Sequence, residues 1–150
     1  MQTGREMKIR PATANDYLAL CAIDSVAEAS FERRAQIGIW LESARCYVAQ
    51  IDGQVAAYGV LTNHFFGYSF IEMVMVSQKF RLQGLGAAIT EHLRSVASGS
   101  KIFSSTNKSN IPMQTLFAKM GFTQSGQIDN LDHDDPEIVF YCPLTRPRDD

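Results

Sequence analysis

The chain has 150 residues, 45% of them apolar and 20% charged, which is the composition of a folded protein of one-domain size and not of a disordered, collagenous or fibrous chain. Fourteen basic against 16 acidic side chains leave a net charge of −2, too little positive surface for nucleic acid to be the main partner. The longest stretch without Asp, Glu, Lys or Arg, Gly53 to Ile71, contains Gln54, Asn63, His64 and three glycines, which argues for strands and against a membrane partner.

Met7 to Arg10 reads as a short first strand. Thr13, with Asp16 three residues on, forms a capping-box pattern that opens a helix through about Ser25. A second helix is expected from about Ala27 to Ser43, with Phe31, Ile37, Trp40, Leu41 and Ala44 on its apolar face and Glu32, Arg33, Arg34 and Glu42 largely opposite. Cys46 to Ile51, the Asp52-Gly53 turn and Val55 to Leu61 read as a hairpin, because Asp-Gly supplies the positive φ angles of a tight turn. Gly67 ends the continuation of the second arm. Phe70 to Val76 is almost wholly apolar, the pattern of a central strand covered on both faces. From Gly84 to about Ala97, the residues Leu85, Ala88, Ile89, His92, Leu93 and Val96 make one helical stripe, which Ser98-Gly99-Ser100 ends. Ile102 to Ser105 suits another strand. Asn110 opens a helix with Met113, Leu116, Phe117 and Met120 on one face, and Phe122 onward with Glu137 to Leu144 gives a last strand pair. The order β-α-α-β-β-β-α-β-α-β-β describes a mixed-sheet α/β domain.

Cys21, Cys46 and Cys142 are too scattered for a disulfide framework and are expected as reduced thiols. His64, His92 and His133 show no metal-ligand spacing, so no metal site is expected. Arg5, Glu6, Lys8 and Arg10 interrupt the apolar segment an export signal needs, which makes the cytoplasm the expected compartment.

The segment Arg81-Leu82-Gln83-Gly84-Leu85-Gly86-Ala87 lies between the apolar strand and the amphipathic helix. Gly84 and Gly86 allow close approach of the main chain to a ligand, the helix start offers unpaired N–H groups and partial positive charge, and Arg81 adds a full charge. A dinucleotide fingerprint fails because its third glycine would fall at Ile89 and positions 104–106 hold no acid for a ribose; a Walker A loop fails because no Gly-Lys-Ser/Thr follows. Taken alone, the turn also fits glycines that serve tight strand-to-helix packing.

Arg81, Gly84 and Gly86 match the Arg/Gln-x-x-Gly-x-Gly/Ala motif that follows the fourth strand in the GNAT superfamily of N-acetyltransferases, and Asn110, Leu116, Lys119, Gly121 and Phe122 match its downstream motif. The chain therefore resembles that superfamily, clearly from Val55 to Phe122 and by element order over most of its length. Gln78 stands where the family often has Pro. The resemblance implies a mixed, mostly antiparallel sheet with splayed central strands, flanked by helices. It implies acetyl-CoA as cosubstrate, held by Arg81, by backbone groups of Val74, Met75 and Val76 on the pantetheine, and by amides of Leu82, Gln83, Gly84, Leu85, Gly86 and Ala87 on the pyrophosphate. Asn110 would reach the arm from the other side. Residues 1–144 would then be one acetyl-CoA-binding domain, with Thr145 to Asp150 an unpacked tail.

Acetyl transfer to an amine requires the neutral amine, so a base must take a proton. Glu72 is the only charged residue from Phe70 to Val76, and burial among apolar neighbours would move such an acid toward the proton-accepting range. The alternative is an acid satisfied by a polar group of the neighbouring strand. In the family a Tyr just after the position of Leu116 usually protonates the leaving thiolate; this chain has Phe117 there. Tyr141, Cys142 and Ser109 are the substitutes, none of which the sequence places near sulfur. Five acids lie in the nine residues from Asp129 to Glu137, and Asp132, Asp134 and Asp135 either attract a cationic acceptor or cap turns in a solvated loop. By the resemblance, Thr62, Asn63, His64, Phe65 and Phe66 fall on the family's acceptor side, where the two rings either form a pocket wall or, as is expected of them and of Trp40, pack in the core. The expected function is transfer of acetyl to a primary amine of a small molecule or peptide by direct attack, with Glu72 as base. The alternative is an acyl-CoA-binding or regulatory module with little turnover. A homodimer is compatible with the family's habits.

Overall fold

The computed structural model describes residues 6–144, so Arg5 and the tail expected at 145–150 lie outside the described residues. The chain runs β1 (Met7–Pro11), α1 (Tyr17–Ile23), α2 (Phe31–Ser43), β2 (Arg45–Ile51), β3 (Gln54–Phe65), β4 (Tyr68–Val76), α3 (Leu85–Val96), β5 (Lys101–Asn107), α4 (Ile111–Lys119), β6 (Thr123–Ile128) and β7 (Glu137–Pro143). Among the described residues the strands form one seven-stranded sheet in the order β1-β2-β3-β4-β5-β7-β6. Every neighbouring pair is antiparallel except β4 with β5, which is parallel. This is the expected fold class.

Local chemistry sets the joints. Asp52 and Gly53 carry φ of 50° and 82°, and Phe66 and Gly67 repeat the pair at 53° and 83°, so both hairpins close through two left-handed residues whose twist suits the strands. Asp16 ties β1 to the first helical turn: its carboxylate accepts from the Thr13 N–H at 2.8 Å and from both Nη atoms of Arg10 at 2.9 Å. The Arg10 guanidinium is the main cause that holds the Asp16 carboxyl below the usual carboxylate range.

Two apolar clusters sandwich the sheet. Ile71, Leu85, Ile89, Leu93, Ile102, Phe117 and Phe140 fill the side covered by α3 and α4, while Leu20, Ile37, Val48, Tyr58 and Val60 fill the side covered by α1 and α2. At about 25 cal/mol per Å² of apolar surface removed from water, such layers are what hold the helices on the sheet.

Three expectations need correction. The second helix begins at Phe31, capped by Ser30, whose Oγ accepts from the Arg33 N–H at 3.1 Å, because Asp24 bonds the N–H groups of Val26 and Ala27 and closes a turn where helix is expected. Phe31 is exposed and Arg33 faces inward, since the inward stripe of α2 passes through Ile37 and Trp40. The central strand is not covered on both faces along its length: Glu72 is exposed and Met73 to Val76 are only half-buried.

Candidate functional site

The site originates in a fault in the sheet. β4 pairs with β5 only through Ser69, Phe70 and Ile71, opposite Ile102, Phe103 and Ser104. Beyond Ile71 the two strands separate, although β4 continues to Val76 and β5 to Asn107. On the other side of β4, Val60 pairs with Met73 and Leu61 with Ile71, which leaves Glu72 as the extra residue of a β-bulge. A bulge bends its strand and re-aims a side chain. Here it also reverses the alternation: Ile71, Val74 and Val76 belong to the α3/α4 cluster, and Met73 and Met75 to the α1/α2 cluster.

The separation exposes main-chain groups. Ser77 donates its N–H to the Ala56 carbonyl at 2.8 Å, so across the trans peptide the Val76 carbonyl points away from β3 and into the gap. Among the described residues, Val74 to Val76 therefore have a ladder partner on one edge and none on the other.

The Arg81–Ala87 segment lies at the end of that strand. Gly84 takes φ of 78° as the residue before α3, with nothing within 4 Å of the Cβ it lacks, and Leu82 at 63° is fully exposed. The first α3 hydrogen bond runs from the Ala88 N–H to the Gly84 carbonyl at 3.0 Å, and among the described residues no side chain caps the helix. The amides of Leu85, Gly86 and Ala87 are thus the orphan donors of this N-terminus, suited to an anion. Gly86 serves packing: a Cβ there would meet Leu116 Cδ2 at 3.3 Å and Val76 Cγ2 at 3.8 Å. Arg81 is exposed and makes no ion pair among the described residues.

A cleft of about 520 Å³ fills the gap between β4 and β5. Ile71 to Met75 and Ser104 to Asn107 form its sides, α4 with its cap (Asn110, Met113, Phe117) closes it below, and Arg33, Gln36 and Trp40 of α2 overhang it from the opposite face. Glu72 and Glu137 both line it. Glu72 accepts from Thr62 Oγ1 at 3.0 Å and Glu137 from Ser105 Oγ at 2.7 Å. The opening therefore runs through the sheet, with the free strand edge and α4 on one side and two carboxylates under α2 on the other.

The other expected site residues fall as follows. Asn110 lines the cleft, but its Oδ1 caps α4 by accepting from the Met113 N–H at 3.2 Å. Phe117 lines it with no hydroxyl to offer and is fully buried. Tyr141, Cys142 and Ser109 do not line it; Ser109 donates its Oγ–H to Asp135 at 2.6 Å. Asp132 accepts from Asn107 Nδ2 at 2.8 Å, so with Asp135 it staples the β6–β7 loop to the end of β5. Asp134 stands beside His133 and does not line the cleft. Phe65 stacks on Phe70 at 4.8 Å, but Phe66 is 86% exposed instead of buried, since it occupies the left-handed turn at the tip of the hairpin. Trp40 packs in the α1/α2 cluster and lines the cleft as well.

Sequence reading missed Arg33, Gln36, Ser105 and Glu137. A signal existed for the first: Arg33, Ile37 and Trp40 are spaced i, i+4, i+7, and a buried Ile37 draws Arg33 inward with it. Arg33 Nη1 bonds Asp24 at 2.9 and 3.2 Å. Asp24, with no exposed side-chain surface, also accepts from the Tyr58 hydroxyl at 2.6 Å. Burial first, and then this bond to Asp24, push the Tyr58 phenol far up.

The sequence matches the acetyltransferase (GNAT) family over residues 14–122. A GNAT-family acetyltransferase from Bacillus cereus shares 31% identity and superposes with a TM-score of 0.86, covering 94% of this chain and 99% of its own. A ribosomal-protein alanine N-acetyltransferase of Escherichia coli superposes at 0.78 with 18% identity over 95% of this chain and 97% of its own. The Salmonella typhimurium protein yncA, solved with its cofactor acetyl-CoA, does so at 0.73 with 19% identity over 94% and 95%. No curated protein matches the sequence significantly. No helix among the described residues is long and apolar enough to cross a membrane.

Proposed function

We propose, from the premise that the chain belongs to the acetyltransferase (GNAT) family, that it moves acetyl from acetyl-CoA to a primary amine by direct attack. The observation that carries this reading is the coincidence of three features along one strand: the unpaired edge of β4, the start of α3 packed beside its Val76, and a carboxylate set by a bulge where the gap opens toward α2. Residues 1–144 act as one unit in this reading.

The residues fit the cosubstrate. Amides of Leu82 through Ala87 and the charge of Arg81 would hold the pyrophosphate, the Val74–Val76 edge would hydrogen-bond the pantetheine as a further strand does, and Asn110 would bound the arm from α4. Acetyl-CoA supplies an acyl group already activated as a thioester. An N–H or the polarity of the free β4 edge beside that carbonyl would favour the charge that grows on its oxygen. Glu72, exposed and held by Thr62, takes the amine's proton directly or through water. Its reach depends on the bulge and not on the burial expected from sequence. As the N–C bond forms and the C–S bond breaks, the departing thiolate takes its proton from solvent, because Phe117 has none to give. A thiol pKa of ~8.5 makes that thiolate a tolerable leaving group.

The buried Phe117 also supports a second reading, an acyl-CoA-binding module with little turnover. Thiol release from acetyl-CoA across a panel of amines and peptides, run beside thermal shift with acetyl-CoA, NAD and ATP, separates the two. Selective stabilisation with amine-dependent release supports the enzyme; stabilisation without release supports the module; no stabilisation by acetyl-CoA refutes both.

A further inference from the structure

Arg33 is more than half of a buried ion pair. Asp24 accepts from the Tyr58 hydroxyl and from the N–H groups of Val26 and Ala27, and its charge is matched by Arg33 through Nη1 alone. Nε and Nη2 of Arg33 make no hydrogen bond among the described residues, and the side chain, 22% exposed, lines the cleft. Gln36 and Trp40 follow it along the same wall. A guanidinium anchored at one nitrogen by a fixed carboxylate presents its remaining donors in a set direction, at little further cost in side-chain order.

The cleft also keeps its charges apart. Glu72 and Glu137 line it from β4 and β7, yet neither pairs with Arg33, whose one ion pair among the described residues is with Asp24. Two carboxylates on the sheet and a guanidinium fork on the overhanging helix make a pocket that is negative at one wall and carries anion donors at the other. A simple amine would satisfy one wall and leave the other to water. A molecule with an amine at one end and a carboxylate at the other satisfies both.

We infer that Arg33 is the specificity-determining residue of the acceptor site and that the acceptor is a carboxylate-bearing amine, an amino acid or a close derivative. This rests on the acetyl-transfer reading for the fate of the amine, but the recognition itself is a binding property. The ammonium approaches Glu72 and Glu137, where it loses its proton before attack, while the carboxylate accepts from the free N–H groups of Arg33. Gln36 borders the same wall.

The test uses the protein's single tryptophan, Trp40, which lines the cleft and reports acceptor binding without turnover. With CoA present, the common L-amino acids and β-alanine are titrated beside their carboxamides, following Trp40 fluorescence, and thiol release from acetyl-CoA is measured on the same pairs. The best carboxylate is expected to bind at least about tenfold more tightly than its carboxamide, the range for a hydrogen bond to a charged group. Arg33→Lys keeps a cation beside Asp24 but removes the fork, and should reduce that preference to within about threefold. Should Arg33→Lys fold poorly, Asp24→Asn with Arg33→Met removes the buried charges together and should do the same. Equal binding of carboxylate and carboxamide to the native chain, binding of neither, or a preference that survives both variants overturns the inference. Equal thiol release with both members of each pair overturns it while leaving acetyl transfer standing; a carboxylate preference in binding with no thiol release does the reverse.

Discussion

Gly59→Ala is the sharpest test of how the sheet holds α3. Gly59 lies buried in β3 directly under α3, and its φ is not in the left-handed region, so alanine meets no backbone strain there. The conflict is steric. A Cβ would lie 2.5 Å from Ile89 Cγ2 and 2.9 Å from Leu93 Cδ1, against an ordinary carbon contact of about 3.5–4.0 Å. Both partners are fully buried, and a β-branched side chain in a helix is confined to one rotamer, so Ile89 cannot swing aside. The helix must lift by roughly the overlap, and overpacking of this kind costs ~1–3 kcal/mol, with two contacts placing it toward the top of that range. For a chain of this size each kcal/mol lowers the melting temperature by about 2–4 °C, so a loss of ~4–12 °C is expected in thermal unfolding. The amides of Leu85 to Ala87 ride on the same helix, so the KM for acetyl-CoA should rise more than kcat falls. Adding Ile89→Ala removes the clashing methyl, and the two substitutions together should cost at least about 1 kcal/mol less than their sum. A melting temperature within 1–2 °C of the native chain, or additive costs, would refute the reasoning.

Glu72→Gln removes the proposed base while keeping the Thr62 bond, and should lower kcat/KM for the amine by ~10²–10⁴ with little change in acetyl-CoA binding; an unchanged rate would reassign the proton. Asp24→Ala leaves Arg33 without its buried partner and the Tyr58 hydroxyl without an acceptor, and should cost ~3–5 kcal/mol in denaturant unfolding; a loss below ~1 kcal/mol would show the network to be dispensable. His92 packs edge-on against Tyr47 with its Nε2 buried and without a hydrogen-bond partner among the described residues, and burial, assisted by the charge of Arg45, lowers its pKa from the ordinary 6.5. The unfolded chain therefore binds the proton first, so this contribution is intact above pH 6.5 and is lost as pH falls below it. Thermal unfolding across that window should show the slope in the native chain and a flatter profile in His92→Leu; equal slopes would remove His92 as its source.

Much of the fold was legible because it is written locally. Asp52-Gly53 and Gly67 announce their hairpins through the φ they permit, Leu85, Ile89 and Leu93 give α3 by spacing alone, and Gly84 with Arg81 marks the loop before it. Part of the cleft was legible too: Glu72, Val74, Met75 and Asn110, all named from the sequence, line it, whereas Arg33, Gln36, Ser105 and Glu137 were not foreseen. Long-range register decided the remainder. That Glu72 is a bulge residue follows from how β3 pairs with β4, a matter of which residue of one strand faces which of another. The apolar run from Phe70 to Val76 had suggested burial for it, but the bulge leaves it exposed and shifts the faces of the residues that follow. Arg33 points inward because Ile37 found a place against β2 and β3, and Glu137 reached the cleft because β7 inserted between β5 and β6. Local periods determine what a segment becomes, since they depend on each residue's own dihedrals; which side chains meet in a cleft depends on strand order and register, which are properties of the whole sheet.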